Sequence, residues 1–184
     1  MIFFKNILRT RSFWIQACVL PVAIFSFLSF SIVPDINAKV KAIFLYNFSK
    51  YIEWPAEQTV GNFKIVIFGN YPALEMELRQ MASQKTRGAQ RFEIEVYNDL
   101  MKIPECHILY IAKSKNGEVS KLSDHLKLSN TLIVSDKDGP LSNGVGINFY
   151  YEHNKQKFEI SVDNLSEHQL KPSDQLKLLA KTVD

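Results

Sequence analysis

The sequence predicts an α/β fold: a single domain in which a mixed β-sheet with a C-terminal antiparallel hairpin is flanked by helices on both faces. Apolar runs at 63–68 and 131–134 are typical of strands covered on both faces. Apolar residues recur at helical spacing between the strands, and near the C-terminus two alternating segments are joined by a short polar turn. With 46% hydrophobic and 22% charged residues, the composition is that of one ordinary globular domain.

The first element after the N-terminal segment is predicted to be an amphipathic helix over residues 39–53. Its apolar face is formed by Val40, Phe44, Phe48, Tyr51 and Ile52. Lys41 and Lys50 fall between these positions, on the polar side. Pro55 disfavours the α conformation at Trp54, so the helix is expected to end there.

The middle of the chain alternates between strands and helices, which favours a sheet covered on both faces. Strands are predicted at 63–68, 91–97, 107–112 and 131–134. Two helical faces are predicted from the spacing of Leu74, Leu78 and Met81 and of Val119, Leu122 and Leu126.

The last third of the chain changes to strict alternation. Residues 145–151 and 158–162 alternate on either side of a turn around His153, and predict the antiparallel hairpin. Pro172 and Ser173 then begin a final helix, with Ser173 as the N-cap. Its apolar residues are Leu176, Leu179, Ala180 and Val183.

Residues 1–38 are predicted to be an export signal. A basic head precedes a mostly apolar run over 13–33, and Ala38 offers a small residue at a cleavage point. Cleavage there leaves 39–184 as the mature domain. The run, at about 20 residues, is also long enough to span a bilayer, so an uncleaved N-terminal anchor is the alternative. Cys18 after Ala17 leaves a lipoprotein as a third possibility. All three export the domain from the cytoplasm.

The mature part is nearly neutral and carries one thiol. The first 38 residues hold three basic residues and one acidic residue, so a net charge near +1 remains beyond them. Such a charge excludes the basic footprint of a nucleic-acid-binding protein. Cys106 is the only cysteine outside the signal, so no internal disulfide is expected.

No catalytic, cofactor-binding or metal-binding set is found in the sequence, which therefore predicts a protein that is not an enzyme. Cys106 and His107 are adjacent in a strand and should point to opposite faces. Two alternatives keep some support. Asp136, Asp138 and His107 could serve an exported hydrolase, and the loops after Gly69 and Ser135 could bind a small molecule at a sheet edge.

Several stretches, taken in order along the mature chain, resemble the YfiR family of periplasmic regulators. They are 40–55 (VKAIFLYNFSKYIEWP), 63–69, 106–111, 135–136, 146–149, 158–162 and 176–180. The resemblance implies a non-catalytic periplasmic protein without cofactors that binds and represses a membrane diguanylate cyclase. It would thereby lower cyclic-di-GMP and biofilm formation. A small-molecule-binding or accessory protein of a different membrane sensor, a kinase or receptor, is the alternative.

The resemblance also implies a homodimer that contacts the membrane only through its N-terminal segment or its partner. Better-known members have periplasmic disulfides, whereas Cys106 has no mature partner, so redox control is not expected here. The candidate partner-binding residues are Tyr46, Asn47, Trp54, Asp136 and Asn148. The first three lie off the apolar stripe of the first helix, and an indole just after a helix end suits either a closing wedge or a partner anchor.

Overall fold

The chain folds around a mixed eight-stranded β-sheet with helices on both faces, and this confirms the predicted fold class. The computed structural model describes residues 35–125, 130–138, 141 and 144–183. They belong to one compact unit, Asp35–Asp184. The predicted export signal before Asp35, and the predicted helical residue Leu126, lie outside the described residues. Within the described residues, no helix has the length and apolar character needed to cross a membrane.

The structure contains five helices and ten strands within the described residues. The helices are α1 Ile36–Tyr51, α2 Pro72–Gln84, α3 Val119–His125, α4 Val162–Glu167 and α5 Asp174–Leu179. The strands are β1 Ile52–Glu53, β2 Phe63–Phe68, β3 Thr86–Arg87, β4 Gln90–Tyr97, β5 Ile108–Ile111, β6 Leu132–Ser135, β7 Ile147–Glu152, β8 Lys155–Ile160, β9 Lys171–Pro172 and β10 Lys181–Thr182. Short 3-10 turns cover Ala56–Thr59, Leu100–Lys102 and Lys113–Glu118.

The order of strands in the large sheet is β10-β8-β7-β6-β5-β2-β4-β3, and β1 pairs separately with β9. Strands β4, β2, β5, β6 and β7 run parallel, whereas β8 returns antiparallel to β7 as the predicted hairpin. The chain reverses its direction of travel across the sheet at β2, because β4 lies on one side of it and β5 on the other. Such a switch point opens a crevice outside the carboxyl ends of the two strands, where ligands of α/β proteins bind.

Apolar side chains of the central strands alternate between two cores. Ile65 and Ile67 pack with α1 and α2 on one face of the sheet, whereas Val66 and Phe68 pack with α3 on the other. All four side chains are fully buried. Burial of an aliphatic or aromatic side chain of this size contributes roughly 1.5 to 3 kcal/mol, so the two-sided sheet is the main source of stability.

Helix α1 begins at Ile36, three residues earlier than predicted, because Asp35 caps it. The Asp35 carboxylate accepts hydrogen bonds from the N–H groups of Asn37 (3.0 Å) and Ala38 (3.2 Å). The helix ends at Tyr51 instead of Glu53, and Ile52 enters β1.

The buried face of α1 is also rotated from the predicted stripe. It is formed by Ala38, Lys41, Ala42, Leu45, Phe48 and Ser49. The prediction that Lys41 lies on the polar side was wrong, because its charge has a buried partner. Phe48 and Ile52 are core residues as predicted, and Phe44 is half-buried in an aromatic cluster with Phe48, Phe149 and Phe158.

The C-terminal third differs from the prediction at two points. Val162 was expected to continue the strand, but Ser161 caps the short helix α4 there by accepting from the N–H of Asn164 at 3.1 Å. Ser173 caps α5 as predicted, but this helix ends at Leu179 and the chain continues into β10. Leu179 is 66% exposed, so the predicted apolar face does not extend to it.

The thiol of Cys106 should be unreactive in the folded protein. Its side chain is 5% exposed, and burial raises the pKa of the thiol to about 12, so almost no thiolate forms at neutral pH. In a chain carrying Cys18→Ala, we expect Ellman's reagent to react with Cys106 only as fast as the protein unfolds. Reaction should be rapid in guanidinium chloride. Rapid labelling of the native protein at pH 7.5 would contradict this placement.

Candidate functional site

The carboxyl ends of β2, β5 and β6 form an open cleft of about 370 Å³ with the first turns of α1 and with β7. It lies at the switch point between β2 and β5. Its lining residues are Asn37, Lys41, Asn70, Tyr71, Tyr110, Ala112, Lys113, Ser114, Asp136 and Tyr151. The sequence placed Asp136 at such an edge, and the structure brings it together with residues from four other segments.

The centre of the cleft wall is a buried ion pair between α1 and the end of β6. Lys41 Nζ lies 2.7 Å from Asp136 Oδ2, and the two side chains are 3% and 4% exposed. The same oxygen accepts a hydrogen bond from the hydroxyl of Tyr110 at 3.3 Å. The other carboxylate oxygen, Oδ1, lies 3.8 Å from Nζ of Lys113, whose side chain is 57% exposed. The two oxygens of Asp136 therefore differ, because one is held by buried groups and the other lies near an exposed surface cation.

Three tyrosines surround this pair. The ammonium of Lys41 lies 5.5 Å from the ring centroid of Tyr71 and 5.9 Å from that of Tyr151. The Tyr71 hydroxyl donates to Asp35 Oδ2 at 3.0 Å, which links the cap of α1 to the start of α2.

The tyrosines of the cleft keep their protons at physiological pH. Burial raises the pKa of Tyr71, Tyr110 and Tyr151, and the nearby carboxylate of Asp136 raises it further, as does that of Asp35 for Tyr71 and Tyr151. The three phenols can therefore donate hydrogen bonds but cannot act as bases there.

Asn148, in β7, forms hydrogen bonds with the residues on either side of Asp136 and is only 1% exposed. Its Oδ1 accepts from the hydroxyl of Ser135 at 2.6 Å and from the N–H of Lys137 at 3.0 Å. Its Nδ2 donates to the carbonyl of Lys137 at 3.0 Å and to Glu159 Oε1 at 3.1 Å. These four hydrogen bonds fix the loop that carries Asp136.

Trp54 lies at the opposite, amino edge of the sheet and is 6% exposed. Its ring meets Phe63 edge-on with centroids 5.1 Å apart, and the guanidinium of Arg87 lies 5.2 Å from both rings. Arg87 Nε donates to the carbonyl of Ser49 at 2.6 Å. The indole Nε1 of Trp54 is buried without a hydrogen-bond partner among the described residues. Trp54 therefore closes this end of the core.

His107 belongs to the same edge and stacks on Phe63 at 4.3 Å. Its Nδ1 accepts from the N–H of Lys64 at 2.9 Å, so the proton of the neutral ring is on Nε2, which donates to the carbonyl of Gln58 at 2.9 Å. Burial lowers the pKa of His107, the hydrogen bond to the Gln58 carbonyl opposes this in part, and the charges of Arg87 and Lys64 lower the pKa further.

The remaining two candidates lie on the second half of α1. Tyr46 is half-buried, and its ring meets that of Phe92 edge-on at 5.8 Å. Lys50 Nζ lies 5.5 Å from the same tyrosine ring. Asn47 is also half-buried. The five candidates thus occupy three places: α1, the amino edge and the carboxyl edge.

The residues of the proposed hydrolase set are not brought together. His107 precedes β5 at the amino edge, whereas Asp136 follows β6 at the carboxyl edge and Asp138 is exposed. Cys106 contributes to the core on one face of the sheet, and His107 contacts Phe63 and Trp54 on the other, as predicted. In the part of the chain that the structure describes, no three His, Cys, Asp or Glu side chains are grouped as a metal site.

Sequence reasoning missed most of the cleft. Lys41 was assigned to a solvent-facing side, and Tyr110 was counted only as part of an apolar run. Tyr71 could have been suspected from the sequence as a cleft residue, because it lies in the loop between a strand and a helix at a predicted carboxyl edge. Lys113 could have been suspected for the same reason, because it follows β5.

Removing one member of the buried ion pair should destabilise the fold strongly. In Lys41→Met, the carboxylate of Asp136 stays buried with only the distant Lys113 to balance it, and we expect a loss of about 3 to 5 kcal/mol in the free energy of unfolding. Lys50→Met, at an exposed position of the same helix, should change it by less than about 0.5 kcal/mol. Urea unfolding followed by circular dichroism measures both. Equal losses in the two variants would show that the ion pair does not stabilise the fold.

The lowered pKa of His107 should make stability depend on pH. His107 binds a proton more weakly in the folded state than in the unfolded state, where its pKa is about 6.5. Its neutral ring therefore makes its full contribution to the free energy of unfolding above that pH, and this contribution is lost as the pH falls below it. We expect the free energy of unfolding to decrease between pH 7 and pH 5, and to decrease less in His107→Gln. Urea unfolding at four pH values measures the two slopes, and identical slopes would contradict the assignment.

In a comparison with protein-family models, residues 38–181 match the family DUF4154, described as YfiR/HmsC-like. No curated protein matches the chain. The matched range runs from the first turn of α1 into β10, and it includes the Lys41–Asp136 pair and all five candidate residues. The family is periplasmic, and membership in it indicates a regulator of cyclic-di-GMP signalling. The chain belongs to the YfiR/HmsC-like family.

Proposed function

We propose that this protein is a non-catalytic periplasmic regulator that binds the periplasmic part of a membrane diguanylate cyclase and represses it. Repression would lower cyclic-di-GMP and biofilm formation. The observation that carries the proposal is the family match over residues 38–181. The arrangement of the cleft is consistent with it, because the charged groups there are engaged with one another and the hydrolase set is dispersed.

The surface that we propose for the partner is the outer face of α1. It is formed by Ile36, Lys39, Ile43, Tyr46, Asn47 and Lys50, which recur at helical spacing opposite the buried face. Ile36 and Ile43 are 73% and 51% exposed. The helix contains three lysines and no acidic residue. Apolar side chains beside exposed lysines suit a partner surface that is apolar and acidic.

The other candidates contribute to this surface through the position of α1. Asp136 holds the first half of the helix through Lys41, and Asn148 fixes the loop of Asp136. Trp54 packs with Arg87, which binds the carbonyl of Ser49 near the end of the helix. We propose that residues 1–38 export the domain, as a cleaved signal or an anchor, and that it works as a homodimer.

Loss of the protein should raise intracellular cyclic-di-GMP, because the cyclase would no longer be repressed. We expect the level to fall again when residues 35–184, the compact unit, are supplied behind a known export signal, and not when they are supplied without one. The measurement is quantification of the nucleotide by mass spectrometry in the four strains. An unchanged level in the deletion strain would contradict the proposal. That result would favour an accessory role beside a different sensor, for which the cleft is the supporting observation.

Ile43→Glu should weaken repression without unfolding the domain. A carboxylate at the centre of the proposed surface opposes an acidic partner, and residues near the centre of an interface contribute about 2 kcal/mol or more, so binding should fall at least about 30-fold. Val60→Glu is the matched control, because Val60 is 79% exposed in the turn before β2. Cyclic-di-GMP and thermal unfolding are measured for both variants. Equal repression by both would remove α1 as the partner surface.

A further inference from the structure

The cleft at the carboxyl edge already stabilises one ammonium group, and it has room beside it for another. The ammonium of Lys41 is held by Asp136 Oδ2 and by the rings of Tyr71 and Tyr151. This is the combination of carboxylate and aromatic faces that proteins use to recognise ligand cations. The open volume of about 370 Å³ lies within the range of small-molecule sites, roughly 300 to 1,000 Å³.

The second oxygen of Asp136 is the group that a ligand could use. Its neighbour, Lys113 Nζ, is 3.8 Å away, beyond hydrogen-bond distance, and this side chain is 57% exposed. A surface ion pair of this kind contributes little, about 0 to 1 kcal/mol, because water competes for the exposed ammonium. A ligand that brings a better-placed N–H donor into the cleft can therefore replace Lys113.

Once Lys113 is displaced, the charges around the cleft favour a cation over an anion. Asp136 lies in the cleft wall and Asp35 accepts from the hydroxyl of Tyr71 at 3.0 Å, whereas Lys41 is the one ammonium that then remains among the lining residues. Burial raises the pKa of Tyr71 and Tyr151, and the carboxylates of Asp35 and Asp136 raise it further. Two carboxylates against one ammonium leave one net negative charge, which a ligand ammonium ion neutralises.

We propose that the cleft binds a small organic cation with a primary ammonium group, which donates to Asp136 Oδ1 in place of Lys113. The ligand ammonium also faces the rings of Tyr71 and Tyr151, as that of Lys41 does, and the hydrocarbon part of the ligand packs beside them. Asn70 and Ser114 are exposed residues of the cleft lining and can bind a second polar end, so a short diamine matches the chemistry of the cleft. This site goes beyond the proposed regulation of a cyclase, since it requires no partner protein.

Calorimetric titration of the purified full-length chain with 1,4-diaminobutane tests the site. We expect saturable binding that weakens with added salt, because the contact is between charges. Lys113→Gln should bind the diamine about three-fold more tightly or better, since it removes the competing ammonium, whose pairing is worth up to about 1 kcal/mol. Tyr151→Leu should bind about two- to five-fold more weakly, because one cation–π contact is lost.

Two controls make the result decisive. Lys171→Gln removes the same charge from an exposed position in β9, near the end of α1, and should leave binding unchanged. Glutarate, a dianion of similar length, should not bind.

Absence of saturable diamine binding would overturn the proposal. So would weaker binding in Lys113→Gln, which would assign Lys113 to an anionic or zwitterionic ligand, or unchanged binding in Tyr151→Leu. The titration contains no cyclase, so its failure leaves the proposed regulatory function untouched.

Discussion

The ion pair between Lys41 and Asp136 sets the position of the first helix on the sheet. Two charges removed from water carry a desolvation cost of several kcal/mol each, which only close contact and further hydrogen bonds can offset. The structure supplies both, with a 2.7 Å contact and the hydroxyl of Tyr110 on the same carboxylate. Because a displaced helix would leave both charges buried and unpaired, the pair selects one placement of α1. The apolar contacts of Phe48 and Leu45 then complete the packing.

The sheet could be predicted from the sequence because its central strands are continuous apolar runs, a signal that is local. The hairpin was also predictable, from its alternation and from His153 and Asn154, which adopt the positive φ angles of the turn. The rotation of α1 could not be predicted, because the partner of Lys41 lies 95 residues away in sequence. Helix α4 was missed since Val162 continues the strand pattern, and only the hydroxyl of Ser161 marks the change. The cleft combines side chains from separate segments, so single residues such as Tyr71 could be suspected but their grouping could not.

The two edges of the sheet hold opposite ends of α1 by different chemistry. At the carboxyl edge, charges and phenols fix the first half of the helix. At the amino edge, Arg87 binds the carbonyl of Ser49, and the N–H of Ser173 donates to the carbonyl of Tyr51 at 2.8 Å. A helix held at both ends presents its outer face in one orientation, so little conformational freedom is lost when that face binds a partner.

The cap of α1 has a consequence for the maturation of the protein. Asp35 closes the first turn of the helix and binds the hydroxyl of Tyr71, and the cleavage point favoured by the sequence follows Ala38, inside that turn. A peptidase needs this segment extended, whereas the folded domain needs it helical. A cut there would also exchange a capping carboxylate for a free amino group at the positive end of the helix dipole, and would leave the phenol of Tyr71 without its acceptor. If the chain is cut after Ala38 as the sequence predicts, cleavage and folding compete for residues 35–38, and the order of the two events decides whether the finished domain keeps its first turn.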